Sequence, residues 1–97
     1  MNLKRIEQLA SLEPKSTMER MVKLQEEMGE LAQEVLIHHQ ASGSSSKSPG
    51  VDVIAGECVD VIIVALSIFF KNGHTQDELK QLIEKKCEKW EKFQAKN

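Results

Sequence analysis

Four carboxylates stand out by type and spacing. Glu57 and Asp60 are the only charges in the run from Val53 to Phe70, VIAGECVDVIIVALSIFF. In a helix, residues three apart project from one face about a turn apart, so the two acids share a side. An ionised carboxylate in apolar surroundings costs several kcal/mol unless a cation, a basic partner or protonation compensates it. Glu27 and Glu30, in KLQEEMGELAQEV from Lys23 to Val35, repeat the spacing on a second helical pattern. Two such pairs on facing helices point to a divalent metal site, because hard cations such as Mg2+ take oxygen ligands.

The elements that would carry these pairs follow from periodicity. Leu3, Ile6, Leu9 and Ala10 mark a short first helix over residues 2–12, ended by Pro14, which disfavours helix at Glu13. Its basic side chains, Lys4 and Arg5, read as a solvated face. Ser16 followed by Glu19 fits a capping box, so a second helix starts near Thr17 and runs to about His39. Its apolar stripe includes Met18, Met21, Leu24, Met28, Leu31 and Val35, with Glu27, Glu30 and Glu34 sharing a stripe beside it. Taken alone, such a stripe is the ordinary wet side of a helix. His38 and His39 suit the helix end, where a cation complements the C-terminal dipole.

Residues 41–50, ASGSSSKSPG, are small and polar and predict a flexible surface loop that reverses the chain. Glu30 lies about ten residues before the loop and Glu57 about seven after it, so antiparallel packing brings the acidic pairs within roughly a turn of level. The third helix, from about Val51 to Lys71, is apolar nearly all round and is expected to be surrounded by other helices. Gly56 in its middle suggests a close approach beside the acids. Asn72 and Gly73 stop that helix. Thr75 with Glu78 caps a fourth, running to about Ala95. There Leu79, Leu82, Ile83, Cys87, Trp90 and Phe93 form the apolar face amid lysines, and Trp90 and Phe93 read as core or interface.

The expectation is an all-α fold, a single domain over residues 1–97. A four-helix subunit of this size has a small core, and oligomerisation is a natural source of further burial. A net charge of −2 and a pI near 5.9 argue against a binder of nucleic-acid polymers that relies on a basic field. Cys58 and Cys87 have no paired spacing and no secretory signal precedes them, which suits a reducing cytoplasm. The apolar run tempts a membrane assignment. Each central acid, however, is penalised by roughly 2.5–3.5 kcal/mol on insertion scales, and a core helix is the better reading.

Two metal chemistries fit an acidic quartet on helices. Di-iron bundles bring in histidine through Glu-x-x-His, and neither His38 nor His39 follows a glutamate at that spacing. An all-oxygen set favours Mg2+, with Mn2+ also possible, and both leave coordination positions for substrate phosphates.

The segment Glu26-Glu27-Met28-Gly29-Glu30-Leu31, followed after a loop by Glu57-Cys58-Val59-Asp60-Val61, resembles the MazG-like all-α nucleoside triphosphate pyrophosphohydrolases, marked by E-E-x-x-E-L and E-x-x-D on successive helices. The resemblance extends over roughly residues 18–97. It implies that Glu27, Glu30, Glu57 and Asp60 hold Mg2+ and form the catalytic centre. It implies a nucleoside triphosphate substrate, often a deoxynucleotide, cleaved between the α and β phosphates to a monophosphate and pyrophosphate in nucleotide-pool house-cleaning. It also implies a homodimer or homotetramer in which helices from two chains build the core and complete the site. Glu26 or Glu34 is the candidate for orienting the attacking water. Lys89 and Lys92 are the nearest match to the family's phosphate-binding basic residues, with Cys87 where asparagine is usual. Where the family places an aromatic after the second helix, this chain has His38 and His39. A different class of reading is a non-catalytic helical oligomer or regulatory module that keeps a vestigial metal or nucleotide site.

Overall fold

The computed structural model describes residues 2–39 and 51–96, with the side chains of residues 51 and 52 excluded. The expected loop at residues 41–50 lies outside the described residues. Four helices follow one another: α1 (Leu3–Leu12), α2 (Thr17–His38), α3 (Val51–Lys71) and α4 (Gln76–Ala95). Among the described residues there is no strand.

Local chemistry sets the ends of these helices. The Asn2 side chain accepts from the Arg5 amide at 3.2 Å, and α1 stops at Glu13, whose extended backbone is what the following proline requires. At α2, Ser16 Oγ accepts from the Glu19 amide at 3.1 Å while Glu19 Oε1 accepts from the Ser16 amide at 3.0 Å. Thr75 and Glu78 repeat this reciprocal cap at α4, at 3.1 and 3.0 Å. Both pairs satisfy donors that a helix N-terminus leaves open. Between α3 and α4 the chain turns at Gly73, whose φ of +90° carries a steric cost for any residue with a Cβ.

α2 and α3 pack against each other over much of their length, and α1 packs on α3. Their sense is antiparallel: Arg20, early in α2, meets Ser67, late in α3, while Glu27 lies level with Glu57 and Asp60. The α2 positions that are buried or half-buried are residues 17, 20, 23, 24, 27, 31, 34 and 37. Glu27 and Glu34 therefore sit within the stripe that faces α3, whereas the sequence pattern put them beside it. Met18 and Met28, expected in the apolar stripe, are exposed. A helix this long carries two faces able to pack, and α3 covers only the one bearing Leu24, Glu27 and Leu31.

α3 departs from expectation in the same way. Within one chain it is not surrounded: Val53, Val59, Ile62 and Ile63 are all exposed. Its half-buried positions 54, 57, 61 and 64 recur at helical spacing and mark the side turned to α2, so Glu57 belongs to the covered stripe. The stretch Val53–Lys71 is long and apolar enough to cross a membrane, and only 6% of it is buried inside the subunit. Beyond the backbone of α3 itself, no atom of the described residues lies within 4 Å of a Cβ built on Gly56, so the close approach suggested by the sequence is absent among them.

α4 stands away from the other helices. Its N-terminal end is anchored by buried Leu79 and by Gln76 Nε2, which donates to Glu7 Oε1 on α1 at 3.0 Å. Every residue from 80 to 96 is exposed. The radius of gyration is 16.3 Å, against roughly 12.5 Å for a compact chain of this length.

A candidate metal centre of three carboxylates

The centre forms where α2 and α3 cross level. Glu27, Glu57 and Asp60 each offer a carboxylate oxygen, and these oxygens lie within 4.8 Å of one another. Glu27 is buried, Glu57 half-buried and Asp60 exposed, so the group runs from the interhelical seam to the surface.

Their hydrogen bonding is incomplete. Glu27 Oε2 and Glu57 Oε2 are shielded from solvent and, among the described residues, have no hydrogen-bond partner. A buried carboxylate oxygen left in that state is costly, and native structures seldom keep one without an ion, a water or a catalytic use for it. Glu57 shows the strain: loss of solvation, then repulsion from Glu30, Asp60, Glu27 and Glu34 in that order, raises its pKa above the ordinary glutamate value. A divalent cation among the three carboxylates would satisfy the stranded oxygens and offset that repulsion. Hard oxygen donors and an open, exposed side fit Mg2+ or Mn2+, which bind a few carboxylates and retain water.

The other sequence candidates fall in different places. Glu30 is exposed and lies outside the group of three, although its charge is the strongest of those acting on Glu57. Glu34 is half-buried on the α3-facing stripe, and its charge also reaches Glu57. Glu26 is exposed and lies 3.7 Å from Lys23 Nζ, outside the group of three. Lys89 and Lys92 are exposed on α4, and among the described residues no ion pair joins them to the acidic group.

Two basic residues bear on the site without having been singled out in the sequence. Lys23 Nζ lies 3.0 Å from Glu27 Oε1, an i, i+4 pair. Accepting that hydrogen bond, Glu27 holds the lysine pKa above its usual value. The spacing of Lys23 and Glu27 was the available signal. Arg20 is 2% exposed and donates to four backbone oxygens: Nε to Lys15, Nη1 to Ser67, and Nη2 to Ala10 and Glu13, at 2.8–3.0 Å. It fastens the end of α1 and the following linker to both helices of the centre. Beside it a groove of about 280 Å3, lined by Ile6, Leu9, Lys23, Ile63 and Val64 among others, opens between α1, α2 and α3.

No protein-family model matches this chain, and no curated protein or solved structure does so either.

Proposed function

We propose that the chain is a Mg2+-dependent nucleoside triphosphate pyrophosphohydrolase of the MazG-like all-α kind. The observation that carries this reading is the pair of buried, partnerless oxygens, Glu27 Oε2 and Glu57 Oε2, inside a group of three carboxylates. The E-E-x-x-E-L and E-x-x-D segments support it, since they supply those residues in that order.

The reaction is NTP plus water to NMP plus pyrophosphate: a water oxygen bonds to the α phosphorus and the α–β bridging bond breaks. A divalent cation held by Glu27, Glu57 and Asp60 would supply charge neutralisation for the triphosphate and acidify water for the attack. The chain's part is positional. Glu27 and Glu57 present oxygens from the covered seam, where little solvent competes, and Asp60 presents its own from the open side, while Glu30, outside that group, adds negative charge beside Glu57. Glu34, on the same stripe as Glu27, is better placed than Glu26 to orient a water, because Glu26 is paired with Lys23.

The functional unit in this reading is a homodimer or homotetramer. The accessible surface is 7488 Å2, whereas a compact monomer of 11.0 kDa exposes about 5,600 Å2. The excess, about 1,900 Å2, is more than the roughly 800 Å2 that each partner of an ordinary protein–protein interface buries. A second copy suits the uncovered apolar faces better than a bilayer does, because Glu57 and Asp60 interrupt the one candidate span among the described residues. Such an assembly would also bring Lys89 and Lys92 of one chain towards the other chain's phosphate-binding side. The free, exposed Cys58 and Cys87 suit a cytoplasmic location.

The test is incubation of purified protein with each NTP and dNTP plus Mg2+. Monophosphate and pyrophosphate are the expected products, and orthophosphate without pyrophosphate would reject α–β cleavage. Nucleotide binding by calorimetry with no turnover would favour the non-catalytic regulatory module instead.

A further inference from the structure

We propose that Lys23 is a built-in counter-ion of the acidic centre, which an incoming divalent cation must displace from Glu27. This rests on the reading of Glu27, Glu57 and Asp60 as a cation site. Glu27 divides its two oxygens between different environments. Oε1 holds the Lys23 ammonium at 3.0 Å, and Oε2 is shielded and partnerless. The ammonium therefore balances one unit of charge where three carboxylates converge, at the one member that is buried.

A divalent ion on Glu27 would stand close to that ammonium, and two like charges sharing one carboxylate repel. The lysine has somewhere to go. Its side chain is 44% exposed, it already reaches Glu26 Oε2 at 3.7 Å, and it lines the open groove beside Ile63 and Val64. Displacement thus needs only a rotamer change on a flexible four-carbon stem. The cost of that exchange weakens cation binding in the resting protein and gives the centre a threshold below which it stays in its ammonium-paired form.

Mn2+ alone is the probe, titrated by calorimetry into chelator-stripped wild-type protein, Lys23→Gln and Lys23→Arg, without nucleotide. Lys23→Gln should bind Mn2+ about two- to fivefold more tightly, the range that a half-exposed ion pair is worth. Lys23→Arg, which keeps the charge, should stay near wild type. Equal or weaker binding by Lys23→Gln overturns the proposal while leaving the cation site intact, since wild-type binding is then measured. Failure of all three proteins to bind Mn2+ overturns the site itself and this inference with it. A second measurement uses only the wild-type chain. Labelling of Lys23 by an amine reagent, read by peptide mass, should rise on adding Mn2+ as the ammonium leaves Glu27, and unchanged labelling counts against displacement.

Discussion

Arg20 on α2 donates through Nη1 to the backbone oxygen of Ser67 on α3 at 3.0 Å, across forty-seven residues of sequence. Among the described residues no carboxylate pairs with this buried cation; backbone oxygens do, three of them in the stretch from Ala10 to Lys15. One side chain thus meets open carbonyls at the end of α1 and ties α2 to α3 about two turns from the acidic centre.

Arg20→Met should therefore destabilise the protein by about 2–4 kcal/mol, because it strands several carbonyl groups at once. Arg20→Lys should recover only part of this, since an ammonium lacks the planar fork that reaches Ala10, Glu13 and Ser67 together. Urea denaturation at fixed protein concentration measures both. A loss below about 0.5 kcal/mol for Arg20→Met, the ordinary range of a surface substitution, would show that the arginine fastens nothing.

Glu57→Gln removes a charge from a carboxylate that is repelled by four neighbours, so the metal-free protein should keep its helicity and melt no lower than wild type. An amide ligates Mg2+ poorly, so the rise in Tm produced by Mg2+ should shrink. Turnover should fall by more than the roughly 10–100-fold that follows loss of an outer partner of a metal ligand. Circular dichroism with and without Mg2+, beside a pyrophosphate-release assay, separates these effects. Undiminished turnover in Glu57→Gln would remove Glu57 from the chemistry.

The two capping boxes make a pH prediction with a definite sign. Backbone donation from Ser16, then its hydroxyl, lowers the pKa of Glu19 below 4.5. Backbone donation from Thr75, then the contact with His74 Nδ1 at 3.3 Å, does the same for Glu78. Between the lowered folded value and 4.5 the unfolded chain binds more protons than the folded one, so stability rises with pH there. The contribution is complete above 4.5 and disappears as pH falls through the folded value. Thermal melts from pH 6 to pH 3 should show wild type losing more Tm than Glu19→Gln or Glu78→Gln. Parallel losses in all three would mean that the caps do not couple to protonation.

The helix ends were legible because capping chemistry is local: Ser16 with Glu19, Thr75 with Glu78 and Glu13 before Pro14 each act within a few residues. Counting residues from Glu30 and Glu57 to a reversal put the two acidic pairs within roughly a turn of level, and Glu27 does meet Glu57 and Asp60, while Glu30 stays outside that group. The face that α2 turns inward was not legible, because its methionines and its Leu24–Leu31 side are both apolar enough to pack. Arg20 was missed for a related reason. A buried cation held by carbonyls has no charged partner in the sequence to betray it, and it looks like any other basic residue on a helix.

The apolar face of α4 poses the same difficulty: periodicity identifies Leu82, Ile83 and Trp90, yet nothing in their spacing says what covers them. Within one chain they remain open, Trp90 at 65% exposure. Patches of that kind on soluble proteins mark interaction surfaces, and an aromatic at the centre of one carries much of the binding energy. With the proposed second copy, wild-type protein at micromolar concentration should sediment at twice 11.0 kDa or a higher even multiple. Trp90→Glu and Ile83→Glu, which lie two turns apart on one side of α4, should each shift the population towards the single-chain mass. The exposed positions leave α1–α3 contacts untouched, so α-helical content should change little on dilution to the same monomer fraction. If a second copy completes the phosphate side of the centre, as proposed, turnover should fall together with the dimer fraction. A wild-type chain that sediments at 11.0 kDa while hydrolysing nucleotide would show that one subunit suffices, and would return Lys89 and Lys92 to solvent.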